Sequence, residues 1–113
     1  MEANELAELF ERNGLRRIEA KALAIFIDGR PRSSMEIELE GNLRQPEVSF
    51  AMPRMVGRGW FTVQHFRKEG KGRPYFTYTL AKAFDDICKD IAGQQSIKIA
   101  AMMNDLNALR TVA

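Results

Sequence analysis

The sequence contains one cysteine and one histidine, and these shortages exclude several classes of protein. A single cysteine, Cys88, cannot form an internal disulfide and fits a reducing compartment, so we expect a cytoplasmic protein. One histidine and one cysteine are too few for a usual one-chain zinc site, and we expect no cofactor. No apolar run approaches the roughly 20 residues needed to cross a bilayer, so no membrane partner is expected. Paired catalytic carboxylates and a phosphate-cradling glycine loop are also missing, which predicts that the chain is not an enzyme.

Charge of both signs is plentiful, but it is unevenly distributed. Residues 44–82 contain eight basic and two acidic side chains. Residues 1–43 contain six basic and nine acidic side chains, and residues 83–113 contain three and four. A basic central third between acidic flanks is typical of a protein that binds a polyanion. A solvated charged face without a partner is the alternative that charge alone leaves open.

The first sixty residues have the apolar spacing of helices. The pattern predicts helices over 3–12, 16–28, 34–40 and 45–58. Ser33, followed three residues later by Glu36, indicates a capping box at the third helix. Gln45 can cap the fourth helix, with Pro46 at its first position. A tight turn containing glycine joins these last two helices, which makes them a helix-turn-helix element.

Beyond residue 59 the apolar pattern takes the period of two that is typical of strands. The stretches WFTVQHF (60–66) and PYFTYTL (74–80) are rich in aromatic and β-branched residues. The basic, glycine-rich stretch RKEGKGR (67–73) lies between them, so the pattern predicts a two-stranded hairpin with a charged tip. Helices followed by such a hairpin form a winged helix-turn-helix, here expected over residues 1–80.

Residues 81–113 have a second long apolar stripe. It predicts a helical arm, either one helix or two with Ser96 capping the second. The arm is long for the domain it would cover, so we interpret it as a homodimer interface; packing back onto its own domain is the alternative. Cys88 is interpreted as a small apolar residue, with a redox switch as the alternative. The predicted interface residues are Phe84, Cys88, Ile91, Ile99, Met102, Leu106 and Leu109.

Four stretches resemble a known family. GLRRIEAKAL, LRQPEVSFAM, GRGWF and GKGRPYFTYTL are similar to winged helix-turn-helix transcription regulators common in archaea, relatives of the MarR and ArsR type. The resemblance covers about residues 14–80 and is to a superfamily. It implies an α+β, mostly helical fold with a two-stranded wing, and a DNA-binding dimer that controls transcription. Pro53 departs from the resemblance, because related sequences usually have an ordinary helix former there.

In such a protein the helix over 45–58 would be the recognition helix, and its outward residues would meet the major groove. Glutamine can pair with adenine and arginine with guanine or phosphate. Phe50 could instead pack under the wing, and Pro53, also outward, predicts a bent or locally widened helix. The wing residues would contact the flanking backbone or the minor groove. The predicted DNA-binding residues are Arg44, Gln45, Glu47, Ser49, Phe50, Arg54, Lys68, Lys71 and Arg73.

Together these patterns predict a cytoplasmic homodimer that binds double-stranded DNA and regulates transcription. A winged-helix module that binds protein within a larger assembly is the alternative, and RNA binding is a weaker third hypothesis. The sequence points to no particular small-molecule effector.

Overall fold

A computed structural model describes residues 1–66 and 75–112 of the chain. Within these residues, the chain forms five α-helices and a small three-stranded antiparallel sheet. A 3-10 turn, Ile25–Asp28, continues the second helix. In chain order the elements are α1 (Ala3–Arg12), α2 (Arg17–Ala24), β1 (Arg32–Ser33), α3 (Ser34–Glu40), α4 (Gln45–Gly57), β2 (Phe61–Phe66), β3 (Tyr75–Leu80) and α5 (Phe84–Arg110).

Helix α2 lies at the centre of the core, as its apolar sequence predicts. Leu23 and the adjoining Phe26 are fully buried, and Phe26 meets the edge of Phe61 at a centroid distance of 4.7 Å. Fully buried side chains from the other elements complete this core: Ile37 from α3, Met52 and Met55 from α4, Trp60 from the turn before β2, and Ile87 from α5. Each such side chain contributes about 1.5–3 kcal/mol by leaving water, so the shared core holds these elements together.

The capping box predicted for α3 is confirmed. The Ser33 hydroxyl accepts from the Glu36 backbone N–H at 3.2 Å, and the Glu36 carboxylate accepts from the Ser33 N–H at 2.9 Å. Both contacts satisfy donors that would otherwise be unpaired at the first turn. They hold α3 at a fixed angle before the turn into α4.

The predicted hairpin is present, and a third strand joins it. β2 pairs with β3 so that Phe61 faces Leu80 and Val63 faces Tyr78. The two-residue strand β1 pairs with the other edge of β3, giving the order β1-β3-β2. A strand of two residues leaves no period for a sequence pattern to detect, so only the hairpin was predicted. Of the hairpin aromatics, Tyr78 is buried, whereas Phe66 is exposed.

Helix α5 is one continuous helix of 27 residues that passes through Gly93. Its first turns pack on the domain: Phe84 lies 6.1 Å from Phe10 between ring centroids, and Asp90 accepts a 3.1 Å hydrogen bond from the Trp60 indole. Every residue from Ser96 to Arg110 is exposed. The helix therefore projects from the domain, and the molecule measures 71 × 26 × 23 Å. None of the helices described is both long enough and apolar enough to cross a membrane.

A buried arginine ties β1 to the elements on either side of it. Arg32 is 4% exposed and contacts Asp28 at 2.7 Å and Glu40 at 2.9 Å. Hydrogen bonds from Arg32 are the main reason that the pKa of Asp28 lies well below its usual range. Charge-assisted hydrogen bonds of this length are among the stronger polar contacts in proteins. The cluster therefore anchors the loop before α3.

We expect Asp28→Asn to lower the free energy of unfolding by about 1–2 kcal/mol at neutral pH, because the charge-assisted bonds to Arg32 are lost. The expected loss is small because Asp28 is 37% exposed and water screens the pair. The folded pKa of Asp28 is depressed. Its contribution is therefore complete above the unfolded pKa of about 4 and is lost as the pH falls below it. In urea titrations the gap between wild type and variant should shrink from about pH 5 towards pH 2; a gap independent of pH would contradict this account.

Candidate nucleic-acid interface

Helix α4 has a buried face and an exposed face, as its spacing predicts. Val48, Ala51, Met52 and Met55 are buried against α2 and α3. The opposite side exposes Arg44, Gln45, Ser49, Phe50 and Arg54. The core thus fixes the orientation of the helix and turns this set of polar and aromatic side chains outward.

Helix α4 begins at Gln45, within the predicted range, but its capping residue differs from the predicted one by one position. Arg44, not Gln45, is the residue that caps the helix, and Pro46 is the second helical residue. The Glu47 carboxylate accepts a 2.9 Å hydrogen bond from the Arg44 backbone N–H and lies 3.5 Å from the Arg17 guanidinium. The hydrogen bond from the Arg44 backbone is the largest cause of the lowered pKa of Glu47. Glu47 is therefore engaged by its own chain as a cap, while the Arg44 side chain is 87% exposed.

Pro53 does not interrupt α4. The helix is α-helical from Gln45 to Gly57 and continues through the proline, so the predicted local widening is absent. The side chain of Pro53 is exposed, as predicted. Pro53 has no N–H to donate to the Ser49 carbonyl, and its position on the outside leaves that carbonyl accessible to water.

Phe50 is the exposed aromatic residue of this surface, and two arginines lie beside it. The Arg54 guanidinium is 5.1 Å from the ring centroid and the Arg16 guanidinium is 5.6 Å from it. Both distances are within the range of cation–π attraction. Arg16 comes from the residues just before α2, so the N-terminal end of α2 lies along the first turns of α4.

A buried carboxylate lies behind these arginines. Glu19 of α2 is 0% exposed, and its oxygens lie 3.4 Å from Arg54, 3.5 Å from Arg58 and 3.8 Å from Arg16. Arg58 also lies over the Trp60 ring at 4.9 Å. We call Arg16, Arg54 and Arg58 the arginine cluster. Sequence reasoning missed Glu19, although a signal existed: it shares a helical face with Leu23 and Phe26, which are buried.

The other flank of α4 borders a cleft of about 290 Å³ beneath the hairpin. Ser49 and Pro53 form one wall of the cleft, and Val63 and Phe76 of the sheet form the other. Gln45 lies at the same cleft. The exposed side of α4 therefore has two unlike flanks, one with arginines against α2 and one that is mostly apolar against the sheet.

Comparison with solved structures identifies the fold. The chain matches a transcriptional regulator over 95% of its own length and 69% of that chain, with 18% identity and a TM-score of 0.53. The transcriptional regulator PA4135 is covered over 92% of its length by 98% of this chain, with 16% identity and a TM-score of 0.52. A complex of NadR with 4-hydroxyphenylacetate matches 96% of this chain and 75% of that one, with 9% identity and a TM-score of 0.53. The chain has a winged-helix fold. No protein-family model and no curated protein matches its sequence.

In a winged helix, β2 and β3 form the wing, and its tip joins the two strands. The predicted tip residues Lys68, Lys71 and Arg73 lie outside the described residues. Near the described ends of the strands, Phe66 stacks on Tyr75 at 5.6 Å and His65 stacks on Phe76 at 5.0 Å. Paired aromatics across two strands stabilise the wing up to the point where its tip begins.

The seven predicted interface residues of α5 divide into two groups. Phe84 and Cys88 are half-buried against the core, and Ile91 is 4% exposed within it. Burial and the neighbouring Asp85 raise the pKa of the Cys88 thiol, so it stays protonated and weakly nucleophilic at neutral pH. The second group is exposed and lies on the projecting part of the helix: Ile99, Met102, Leu106 and Leu109.

Proposed function

We propose that this protein is a transcription regulator that binds double-stranded DNA as a homodimer in the cytoplasm. Recognition helix α4 enters the major groove, and the tip of the wing, residues 67–74, contacts the flanking backbone or the minor groove. The observation that carries this proposal is the outward face of α4, where Arg44, Gln45 and Ser49 are exposed along a helix held firmly by its core face. The second helix of a helix-turn-helix, with its polar face exposed, is the element that contacts base edges in the major groove.

Each outward residue has a distinct role in this proposal. Gln45, in the first turn, offers an amide that can pair with adenine through two hydrogen bonds. Arg44 and Arg54 supply guanidinium groups for guanine or phosphate. Ser49 can donate to a phosphate or a base edge, and Phe50 can contact thymine methyl groups. Glu47 contributes indirectly, because its hydrogen bond fixes the backbone at Arg44.

The homodimer is proposed from the projecting part of α5. Its exposed apolar residues are spaced by three, four and three positions from Ile99 to Leu109, which is the spacing of a helix that pairs with another helix. A second copy of the same arm offers the matching stripe, and two-fold pairing would present two recognition helices together. Such a dimer binds two half-sites about 34 Å apart on one side of the duplex.

A role as a protein-interaction module or an enzyme has less support. An aromatic anchor for a protein partner is usually set in a well-packed apolar centre with few charges around it. Phe50 instead has two arginines beside its ring, and five arginines lie on or beside this side of α4. This composition suits a polyanion. The matched structures with a stated role are transcriptional regulators, which also favours binding over catalysis.

The test is the affinity of the wild-type protein for duplex DNA, measured across a range of salt concentrations. We expect affinity to fall steeply as salt rises, because basic side chains that contact phosphates displace counterions. Arg44→Gln should weaken binding and make the slope shallower by about one if Arg44 contacts phosphate. If Arg44 instead pairs with guanine, the loss should appear mainly with the selected sequence and cost about 1–3 kcal/mol.

Arg12→Gln is the matched control, because it removes the same charge from an exposed position on α1. It should bind as wild type does. If a folded wild-type protein fails to bind any duplex at low salt, the proposed function is wrong. If both variants weaken binding equally, the effect comes from net charge and α4 is not the contact surface.

A further inference from the structure

The buried carboxylate of Glu19 is held in an unusual way. Neither of its oxygens has a hydrogen-bond partner among the described residues, although both are shielded from water. Its contacts with the arginine cluster are 3.4–3.8 Å long. Charge-assisted hydrogen bonds are normally shorter, at about 2.8 Å. A buried charge without hydrogen bonds is costly, so a position of this kind needs a physical explanation.

The guanidinium groups of the arginine cluster compensate the buried charge of Glu19 through ion pairs. Arg16, Arg54 and Arg58 donate no side-chain hydrogen bond within the part of the chain that the structure describes. Each is instead held by an ion-pair contact with Glu19 and by contact with the face of Phe50 or Trp60. Three positive charges surround one negative charge, so two positive charges are in excess. The N–H donors stay available to a second anion.

The cluster is also accessible from outside. The side chains of Arg16, Arg54 and Arg58 are 63%, 43% and 34% exposed, while Glu19 behind them is fully buried. An anion that approaches α4 from the α2 side therefore meets guanidinium groups and does not meet the carboxylate. Arginine suits this position because its planar guanidinium can stack on an aromatic ring and, at the same time, donate hydrogen bonds outward in its own plane.

We propose that the arginine cluster is a phosphodiester-binding site for the DNA backbone, and that Glu19 is the positioning residue that holds it. This inference rests on the proposed function and adds to it a backbone contact on the α2 side of the recognition helix. Glu19 keeps Arg54 and Arg16 beside Phe50. From this position the two guanidinium groups contact phosphates of the DNA strand that borders the groove which α4 enters. Such contacts fix the register of a protein on the duplex.

The test is DNA affinity for Glu19→Gln, because the inference and simple electrostatics predict opposite signs. Removal of a negative charge near bound DNA should tighten binding if only net charge matters. If Glu19 positions the cluster, binding should instead weaken by about fivefold to tenfold, and the salt slope should become shallower by about one to two. Glu8→Gln, which removes the same charge from an exposed position on α1, is the matched control and should not weaken binding.

A double-mutant cycle separates an effect of Glu19 on the position of Arg54 from a general effect on folding. If Glu19 acts through Arg54, then Glu19→Gln should weaken binding less in an Arg54→Met background than in wild type. Tighter or unchanged binding by folded Glu19→Gln, with wild-type slope, would overturn the inference while wild-type binding still supports the proposed function. If Glu19→Gln does not fold, Arg16→Met and Arg58→Met decide: shallower slopes support the site, and wild-type slopes overturn it.

Discussion

Leu106→Glu is expected to convert the proposed dimer into a monomer and to weaken binding to a two-half-site operator by at least about 100-fold. Leu106 belongs to the exposed apolar stripe on the projecting part of α5. In a two-fold dimer the substitution places a carboxylate on both copies of the interface. Burying such a charge without a partner costs several kcal/mol per ion, more than the apolar contact it replaces would contribute.

The loss in DNA affinity follows because the two recognition helices are no longer tethered to each other when they bind the two half-sites. In a dimer, the second recognition helix binds its half-site from an already tethered position, which adds a factor of about 10²–10⁴ without any new contact. A monomer retains one recognition helix and one wing. We therefore expect binding to a single half-site to change little, while binding to the paired site falls.

Asn107→Glu is the matched control, since it adds the same charge one residue away, outside the apolar stripe. It should remain dimeric by sedimentation and should bind the paired site as wild type does, apart from a small electrostatic loss. A Leu106→Glu protein that sediments as a dimer at micromolar concentration would contradict the proposed interface. Equal losses in both variants would show that charge on the arm, and not the stripe, governs binding.

Pro53→Ala is expected to raise the free energy of unfolding by about 2 kcal/mol. Alanine restores the N–H that Ser49 lacks as a partner and removes the ring that crowds its carbonyl, and both changes favour a regular helix. Part of the gain is offset, because alanine gives the unfolded chain more conformational entropy than proline does. This entropy lowers the free energy of unfolding by about 0.4–1 kcal/mol. Pro53 is exposed and already lies within a continuous helix, so no core contact has to change.

Pro46→Ala provides a control within the same helix. Pro46 is the second helical residue, where the N–H has no acceptor within the helix, so its replacement should not stabilise the protein. Urea unfolding, carried out at one protein concentration, gives the free energy of unfolding of both variants and of the wild type. If Pro53→Ala is no more stable than wild type, the proline must favour the observed path of α4 beside the cleft. A more stable variant that binds DNA poorly would show that Pro53 shapes the docking surface.

Most of the fold could be predicted from local patterns because those patterns act over short distances. Helical spacing placed the core faces of α2 and α4, the capping box located the start of α3, and the change of period located β2 and β3. The capping residue of α4 was missed by one position, because proline is accepted at either of the first two helical positions and the pattern therefore does not choose between Arg44 and Gln45. Strand β1 is too short for a period, and it forms because β3 offers it an edge.

The candidate site was only partly predictable, for a different physical reason. The outward set on α4 follows from helical spacing within one element, and it was found. The arginine cluster joins Arg16, Glu19, Arg54 and Arg58, which approach one another only when α2 packs on α4. Glu47 was predicted to contact DNA. In the structure its carboxylate instead accepts a hydrogen bond from the Arg44 backbone as a helix cap and pairs with Arg17.

The sequence by itself determined which residues form the five helices and the two strands of the hairpin, where most of these elements begin, and that the basic charge is concentrated in the central third of the chain. These properties depend on residues within a few positions of one another, where spacing alone decides which side chains share a face. Only the tertiary structure decided that Ile91 is covered by its own domain while Leu106 is not, and that a buried carboxylate lies behind the arginines of α4. Such facts depend on which distant elements come into contact, and a local pattern does not contain that information.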